Sequence, residues 1–209
     1  MNSPSTIGPD LAEVIGVLIG DGCLGRYEKG RHVNWQVVFT AGADEFWYYA
    51  GFVKPTIEAT FGVSGHLYLR NDNTTRYHIY SKEVATFFAN LGLPIGKKHD
   101  ASIPSAILEQ GLVVPFVRGI YHAEGSIYRR YSKRYNRQTR IYRDLLVIQI
   151  RTKLRTLMNQ IRVQLSTLGI ICNRLTEKDG VYTLRITSQA EVSRFMQKIR
   201  PKYKCGPSR

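Results

Sequence analysis

The chain has 209 residues (23.9 kDa), 43% of them hydrophobic and 11% aromatic, which excludes a disordered polymer and suffices for one large domain or two small ones. Thirty Lys and Arg against 16 Asp and Glu leave a net charge of +14, so the expected partner is a polyanion. No apolar run reaches the roughly 18 residues that span a bilayer, the start MNSPSTIGPD lacks a signal peptide's basic region, and Cys23, Cys172 and Cys205 are too few and scattered for a disulfide framework or a zinc site. The expectation is an intracellular, reduced protein without a membrane partner; cytoplasm, nucleoid and organelle remain open.

Taken in chain order, the pattern predicts a first helix opened by a capping box of Asp10 and Glu13. A strand pair follows, in which Val33, Trp35, Val37 and Phe39 share one face and Asn34, Gln36 and Thr40 the other. Next come a helix over about 44–61 with Asp44 as its N-cap, a hairpin turning at Asn71-Asp72-Asn73 and a helix opened by Ser81. Residues 95–110 read as a link with a short helix. The order then repeats. A helix with Pro115 in its first turn leads into a strand pair, a helix near 153–168, a hairpin at Asp179-Gly180 and a helix opened by Ser188.

The repetition is in the residues as well as in the elements. Leu11–Gly22 aligns without a gap on Val114–Gly125 at an offset of 103, pairing Gly16 with Gly119, Gly20 with Ala123, Asp21 with Glu124 and Gly22 with Gly125. Ser81–Phe88 aligns on Ser188–Phe195 at an offset of 107. Two collinear matches point to a duplication, with halves at 10–94 and 111–202.

Charge divides these halves unequally. Residues 1–104 hold 9 basic and 10 acidic residues, whereas 105–209 hold 21 and 6. The excess peaks over 128–143, with seven cationic residues and four Tyr, which reads as a long hairpin lying on a nucleic acid.

Glycine inside a helix costs about 1 kcal/mol relative to alanine, so Ala12, Gly16 and Gly20 at every fourth position need a reason, as do Pro115, Gly119 and Ala123. Such stripes let two helix backbones approach closely, each helix being the natural partner of its duplicate. Parallel packing then brings Asp21 and Glu124 together at the negative ends of both helices, where a cation must offset their repulsion. Oxygen ligands suit Mg²⁺ or a similar hard ion.

These two segments, 11–22 and 115–125, resemble the paired motifs of the two-repeat, single-chain LAGLIDADG homing endonucleases of the intron-encoded type. The likeness runs from about residue 10 to 202. It implies an α+β fold of tandem, pseudo-twofold αββαββα repeats, with antiparallel sheets forming a DNA-binding saddle and two central parallel helices. It implies a monomer that cuts both strands of a long double-stranded DNA target with Mg²⁺ or Mn²⁺, leaving short 3′ overhangs, while Ca²⁺ occupies the site without supporting cleavage. The alternative on this scaffold is an RNA maturase gripping intron RNA. By position, Asp21 and Glu124 are the metal-binding acids, and Gly20 and Ala123 supply carbonyl oxygens. Family members often carry Gln or Lys after the second strand of a half; Gln149, Arg151 and Lys153 stand there in the second half, but the first reads Thr40-Ala41-Gly42. Lys97 or Lys98 in the link is the candidate to fill that role.

The polar strand faces are expected to enter the major groove. Candidate DNA contacts are Arg26, Lys29, Arg31, Asn34, Gln36, Arg70, Arg76 and His78 in the first half, and Tyr128, Arg130, Arg140, Gln149, Arg151, Arg174, Arg185 and Thr187 in the second.

Overall fold

A computed structural model of the chain describes residues 4, 6–30, 32–133 and 139–202. Its first half runs α1 (Pro9–Asp21), β1 (Gly22–Lys29), β2 (His32–Gly42), α2 (Phe46–Tyr48), α3 (Lys54–Phe61), β3 (His66–Leu69), β4 (Thr74–Ile79) and α4 (Lys82–Asn90). After the short α5 (Ser105–Glu109) come α6 (Val113–Glu124), β5 (Gly125–Lys133), β6 (Thr139–Thr152), α7 (Arg155–Thr167), β7 (Thr176–Lys178), β8 (Val181–Ile186) and α8 (Gln189–Ile199). The two antiparallel sheets have the same order, β1-β2-β4-β3 and β5-β6-β8-β7, as a duplication requires. One hydrophobic core runs through both halves, from Leu11, Val14 and Phe39 to Ile148, Leu157 and Phe195. No helix among the described residues is long and apolar enough to cross a membrane.

The turns follow their chemistry. Asp179 and Gly180 both take left-handed backbone (φ 53 and 70), as a two-residue hairpin needs. Asn73 does the same (φ 57), while Asp72 Oδ1 accepts from the Thr74 amide at 3.2 Å and its hydroxyl at 2.6 Å. Ser81 Oγ caps α4 by accepting from Val84 N at 3.2 Å.

Three local expectations are corrected. The helix expected over 44–61 with Asp44 as its N-cap is composite: a 3-10 turn at Ala43–Glu45 that starts behind Gly42, then α2, a π turn at Tyr49–Val53, and α3. Pro55 has no N–H to offer the carbonyl four residues before it, and the widened turn directly upstream absorbs that mismatch. Ser188 stands at the N-cap of α8 but makes no side-chain bond there. The capping box is absent too, since α1 starts behind Gly8 with Pro9 in its first turn and no side-chain cap.

Glu13 has a different task. Its side chain is fully buried and takes Arg118 Nη1 at 2.9 Å, Tyr48 OH at 2.9 Å and Lys202 Nζ at 3.1 Å, with His122 Nε2 3.7 Å away. Arg118 also donates from Nε to Ile199 O at 2.6 Å, tying the end of α8 to the contact between halves. Burial first, and then Glu13, push the Tyr48 phenol far above its ordinary pKa, so it remains a donor. The duplicate positions carry Phe116 and Ile15, so the pair joins one half to the other asymmetrically. Removing one partner of a buried ion pair strands the other charge. Arg118→Met leaves Glu13 with Tyr48 and Lys202 but removes its closest cation, and should cost about 1–3 kcal/mol of unfolding free energy in urea titration.

Candidate active site

The close helix contact that the small-residue stripes predict is present between α1 and α6. A Cβ added at Gly16 would strike the Phe116 carbonyl oxygen and stand 2.9 Å from Ile120 N; one at Gly119 would strike the Glu13 carbonyl oxygen and stand 2.9 Å from Val17 N. At Gly20 it would meet the Ala123 Cβ and lie 3.1 Å from Glu124 Cγ. The backbones touch at Gly16 and Gly119, where any side chain would push them apart, and Gly20 packs on the side chains of Ala123 and Glu124. Because the helices end together, Asp21 and Glu124 meet at the same end, and each chain passes at once into a strand through Gly22 and Gly125.

Lys98 completes this centre. From the connecting arm its Nζ reaches the end of α1 and donates to Ile19 O at 2.5 Å and Gly20 O at 2.8 Å, with Leu18 O at 3.5 Å. It thereby satisfies carbonyls that a helix end leaves without partners, at the negative pole of the helix dipole. Burial lowers the pKa of the amine, while Glu124, Asp21 and Cys23, in that order, favour its charged form. The Tyr49 hydroxyl lies 3.5 Å from Asp21 Oδ2, and burial followed by Asp21 and Glu45 raises its pKa well above normal.

The candidate polar residues of the second half come to the same place. A pocket of about 630 Å³ is lined by Gly20, Lys98, Ala123 and Glu124 on one side and by Ser126, Gln149, Arg151 and Lys153 on the other. Gln149 is held in position, its Oε1 accepting from Arg185 Nε at 2.9 Å, with Tyr128 OH at 3.4 Å. The register explains the gap in the first half. Ile150 pairs with Gly125 as Phe39 pairs with Gly22, so Gln149, Arg151 and Lys153 correspond to Val38, Thr40 and Gly42. Val38 and Gly42 leave the first half without a strand-borne equivalent of Gln149 or Lys153.

Register also sorts the other candidates. In the first sheet Asn34, Gln36, Thr40, Arg76 and His78 share the face turned from the core, since Thr40 pairs with Arg76 and the buried Val38 with His78. Arg26 does not join them: it pairs with Trp35, lies 5.7 Å over that ring and bonds Glu28 at 3.1 Å. Arg70 follows the end of β3 and is paired with Asp72 at 3.2 Å. Burial, Arg76 and His66 lower the pKa of His78, which keeps the ring neutral at neutral pH. In the second sheet Tyr128, Gln149, Arg151 and Arg185 share a face, with Arg130 exposed at the bulge after Arg129. Arg174 precedes β7, and Thr187, just after β8, bonds Asn173 Oδ1 at 3.1 Å. Arg31 and the side chains of Lys29 and Arg140 lie outside the described residues. Tyr27, His66 and Tyr68, which the sequence reading passed over, sit opposite Asn34, His78 and Arg76 on the same face. Their signal was cross-strand pairing, which a single strand's alternation does not carry.

Comparison with known proteins agrees with this architecture. The LAGLIDADG-like domain family matches residues 112–200, and the paired motif and sheet order of that half recur in the first. The second half is therefore similar to a LAGLIDADG-like domain, and the first half is its structural repeat. No curated protein matches the chain in sequence. Among solved structures, I-DmoI in complex with DNA and Mn is similar over 93% of this chain and 97% of its own, at 20% identity and a TM-score of 0.64. The LAGLIDADG meganuclease I-AabMI bound to uncleaved DNA is similar over 92% and 84%, at 14% identity and a TM-score of 0.61. The K262A mutant of I-SmaMI is similar over 93% and 85%, at 13% identity and a TM-score of 0.63. At these identities the likeness shows the fold, an α+β pair of four-stranded antiparallel sheets around two helices. Of the two, α6 opens the segment that the family model matches, and α1 is its counterpart in the first half.

Proposed function

We propose that the protein is a monomeric, site-specific homing endonuclease that makes metal-dependent double-strand cuts in a long DNA target, leaving short 3′ overhangs. The observation that carries this reading is the convergence of Asp21, Glu124 and Lys98 at the ends of two helices in backbone contact, beside a pocket walled by Gln149, Arg151 and Lys153. The solved relatives support it, as complexes of I-DmoI with DNA and Mn and with DNA and Ca.

The donors fit a hard divalent cation such as Mg²⁺ or Mn²⁺. They are carboxylates and helix-end carbonyls without nitrogen or sulfur, and among the described residues no group of three or more His, Cys, Asp and Glu competes for a softer metal. Asp21 and Glu124 would hold the ion, with the carbonyls of Gly20 and Ala123 at hand. When bound it supplies an activated water and offsets charge on attacking and leaving oxygens. The chain's own residues do the rest. Lys98 offsets the negative helix end and faces the charge that grows on the scissile phosphate. Gln149, fixed by Arg185, presents its amide toward the pocket, while Arg151 and Lys153 provide cations for the phosphate backbone. Outward faces of both sheets bear the base-reading candidates, and the second half's excess charge carries most of the phosphate grip.

The test is selection from a randomised duplex library incubated with the purified chain. Recovery of one long consensus cut on both strands, with Mg²⁺ and not with EDTA, is the expected result. A library left intact with Mg²⁺ and Mn²⁺ over a range of salt would refute the reading.

A further inference from the structure

We propose that Asp100 is a positioning residue, whose carboxylate fastens the connecting arm to the N-terminus of α7 and thereby holds Lys98 between the two acids. The inference rests on the nuclease reading above and adds to it the question of how a lysine from a connection keeps a fixed place.

The arm is secured before and after Lys98. Upstream, Ile95 bridges in parallel to Leu24, and Gly96 N donates to Leu24 O at 2.7 Å. Downstream, Ile103 N donates to Gln160 Oε1 of α7 at 2.7 Å, with Ile103 and Ile107 buried in the core. Between these anchors stand six residues, Lys97 to Ser102, enough slack to carry a lysine away from the centre. Asp100 divides that span. Its Oδ2 accepts from Thr156 Oγ1 at 2.6 Å, and its Oδ1 accepts from Thr156 N at 3.2 Å and from Ala101 N at 2.8 Å. Thr156 is the second residue of α7, so the carboxylate takes an amide that the helix cannot use internally and sits at the positive end of the dipole. The neighbouring Arg155 adds a favourable charge.

Only His99 separates the residue whose amine binds the first half's helix from the one whose carboxylate binds the second half's helix. The arm therefore crosses from one half to the other at this point, and Lys98 is held from the side to which it does not itself bind. Val38 and Gly42 stand in the first half where the second has Gln149 and Lys153, so the strand end there brings no amide or amine of its own. A helix cap could do all this for stability alone, and the experiment must separate the two roles.

The full-length protein would be tested on a duplex bearing its selected target. Single-turnover cleavage with Mg²⁺, DNA affinity in Ca²⁺ and the thermal midpoint would be measured for wild type, Asp100→Ala, Asp100→Asn, Lys98→Met and the Lys98→Met/Asp100→Ala double variant. Asp100→Ala is expected to slow cleavage about tenfold, with affinity within about twofold of wild type. Asp100→Asn, which keeps an acceptor for Thr156 N, should recover most of the rate. The double variant should cut no more slowly than Lys98→Met, because Asp100 acts through that lysine. Wild-type cleavage by Asp100→Ala would overturn the proposal, and so would a double variant slower than Lys98→Met by the full Asp100→Ala factor. A wild-type protein that cuts no DNA would overturn the nuclease reading itself, and this role for Asp100 with it.

Discussion

Asp21→Asn and Glu124→Gln should each remove the linear product from a supercoiled plasmid carrying the target, lowering double-strand cleavage about a thousandfold. Both substitutions keep the side chain's size and its place at the helix end, so the fold should persist. They remove one unit of negative charge each at the meeting helix ends, so affinity for the target should hold or rise slightly. Nicked circles can accumulate if one strand is still cut. Agarose electrophoresis separates the three plasmid forms, and a filter-binding titration in Ca²⁺ reads affinity in the same preparation. Linear product at the wild-type rate from either variant would show that the acid has no part in the reaction.

The second large effect is structural. Gly119→Ala should destabilise the protein by about 3 kcal/mol or more, because overpacking against backbone leaves nothing flexible to yield. The added methyl would land on the Glu13 carbonyl oxygen, which belongs to the facing helix. Alanine is the better helix former by about 1 kcal/mol, so the sign of the result shows which effect governs the site. Gly51→Ala is the control. That glycine is exposed in the π turn, and a Cβ there would meet nothing within 4 Å. It should be neutral or slightly stabilising in the same urea titration.

Gly119 also shows what the sequence makes legible. The stripe Gly16-Gly20 beside Gly119-Ala123 is conspicuous because glycine inside a helix is costly, and only a close neighbour repays the cost. Repetition of the stripe names that neighbour. The helix pair, its acids and the order of strands were therefore readable from one chain. Glu13 was misread for a reason that local rules cannot avoid. An acid in a first turn looks like a capping residue, and the partner that makes burial tolerable, Arg118, lies 105 positions away. That Arg26 stands on the opposite face from Asn34 and Gln36 was not legible, because alternation along one strand does not state which face its neighbour strand presents, whereas pairing with Trp35 does. Lys98 was visible only as a cation in a connection. Its place at the end of α1 depends on anchors at Leu24 and Thr156, on two different halves.

The chain is asymmetric where a homodimer of identical halves could not be. A strand-borne Gln149, Arg151 and Lys153 line the pocket beside Glu124, whereas the amine bound to the end of α1 comes from the arm. Likewise the buried Glu13–Arg118 pair has no duplicate, since Phe116 and Ile15 occupy the corresponding positions. Duplication set the frame, and later divergence gave each half residues that only the other half completes.

The most direct examination of the central claim is anomalous diffraction from crystals of the protein with its selected duplex, grown in Mn²⁺. The account predicts a manganese peak at the meeting ends of α1 and α6, ligated by carboxylate oxygens of both Asp21 and Glu124. Manganese bound elsewhere, with those two carboxylates ligating no ion, would contradict it.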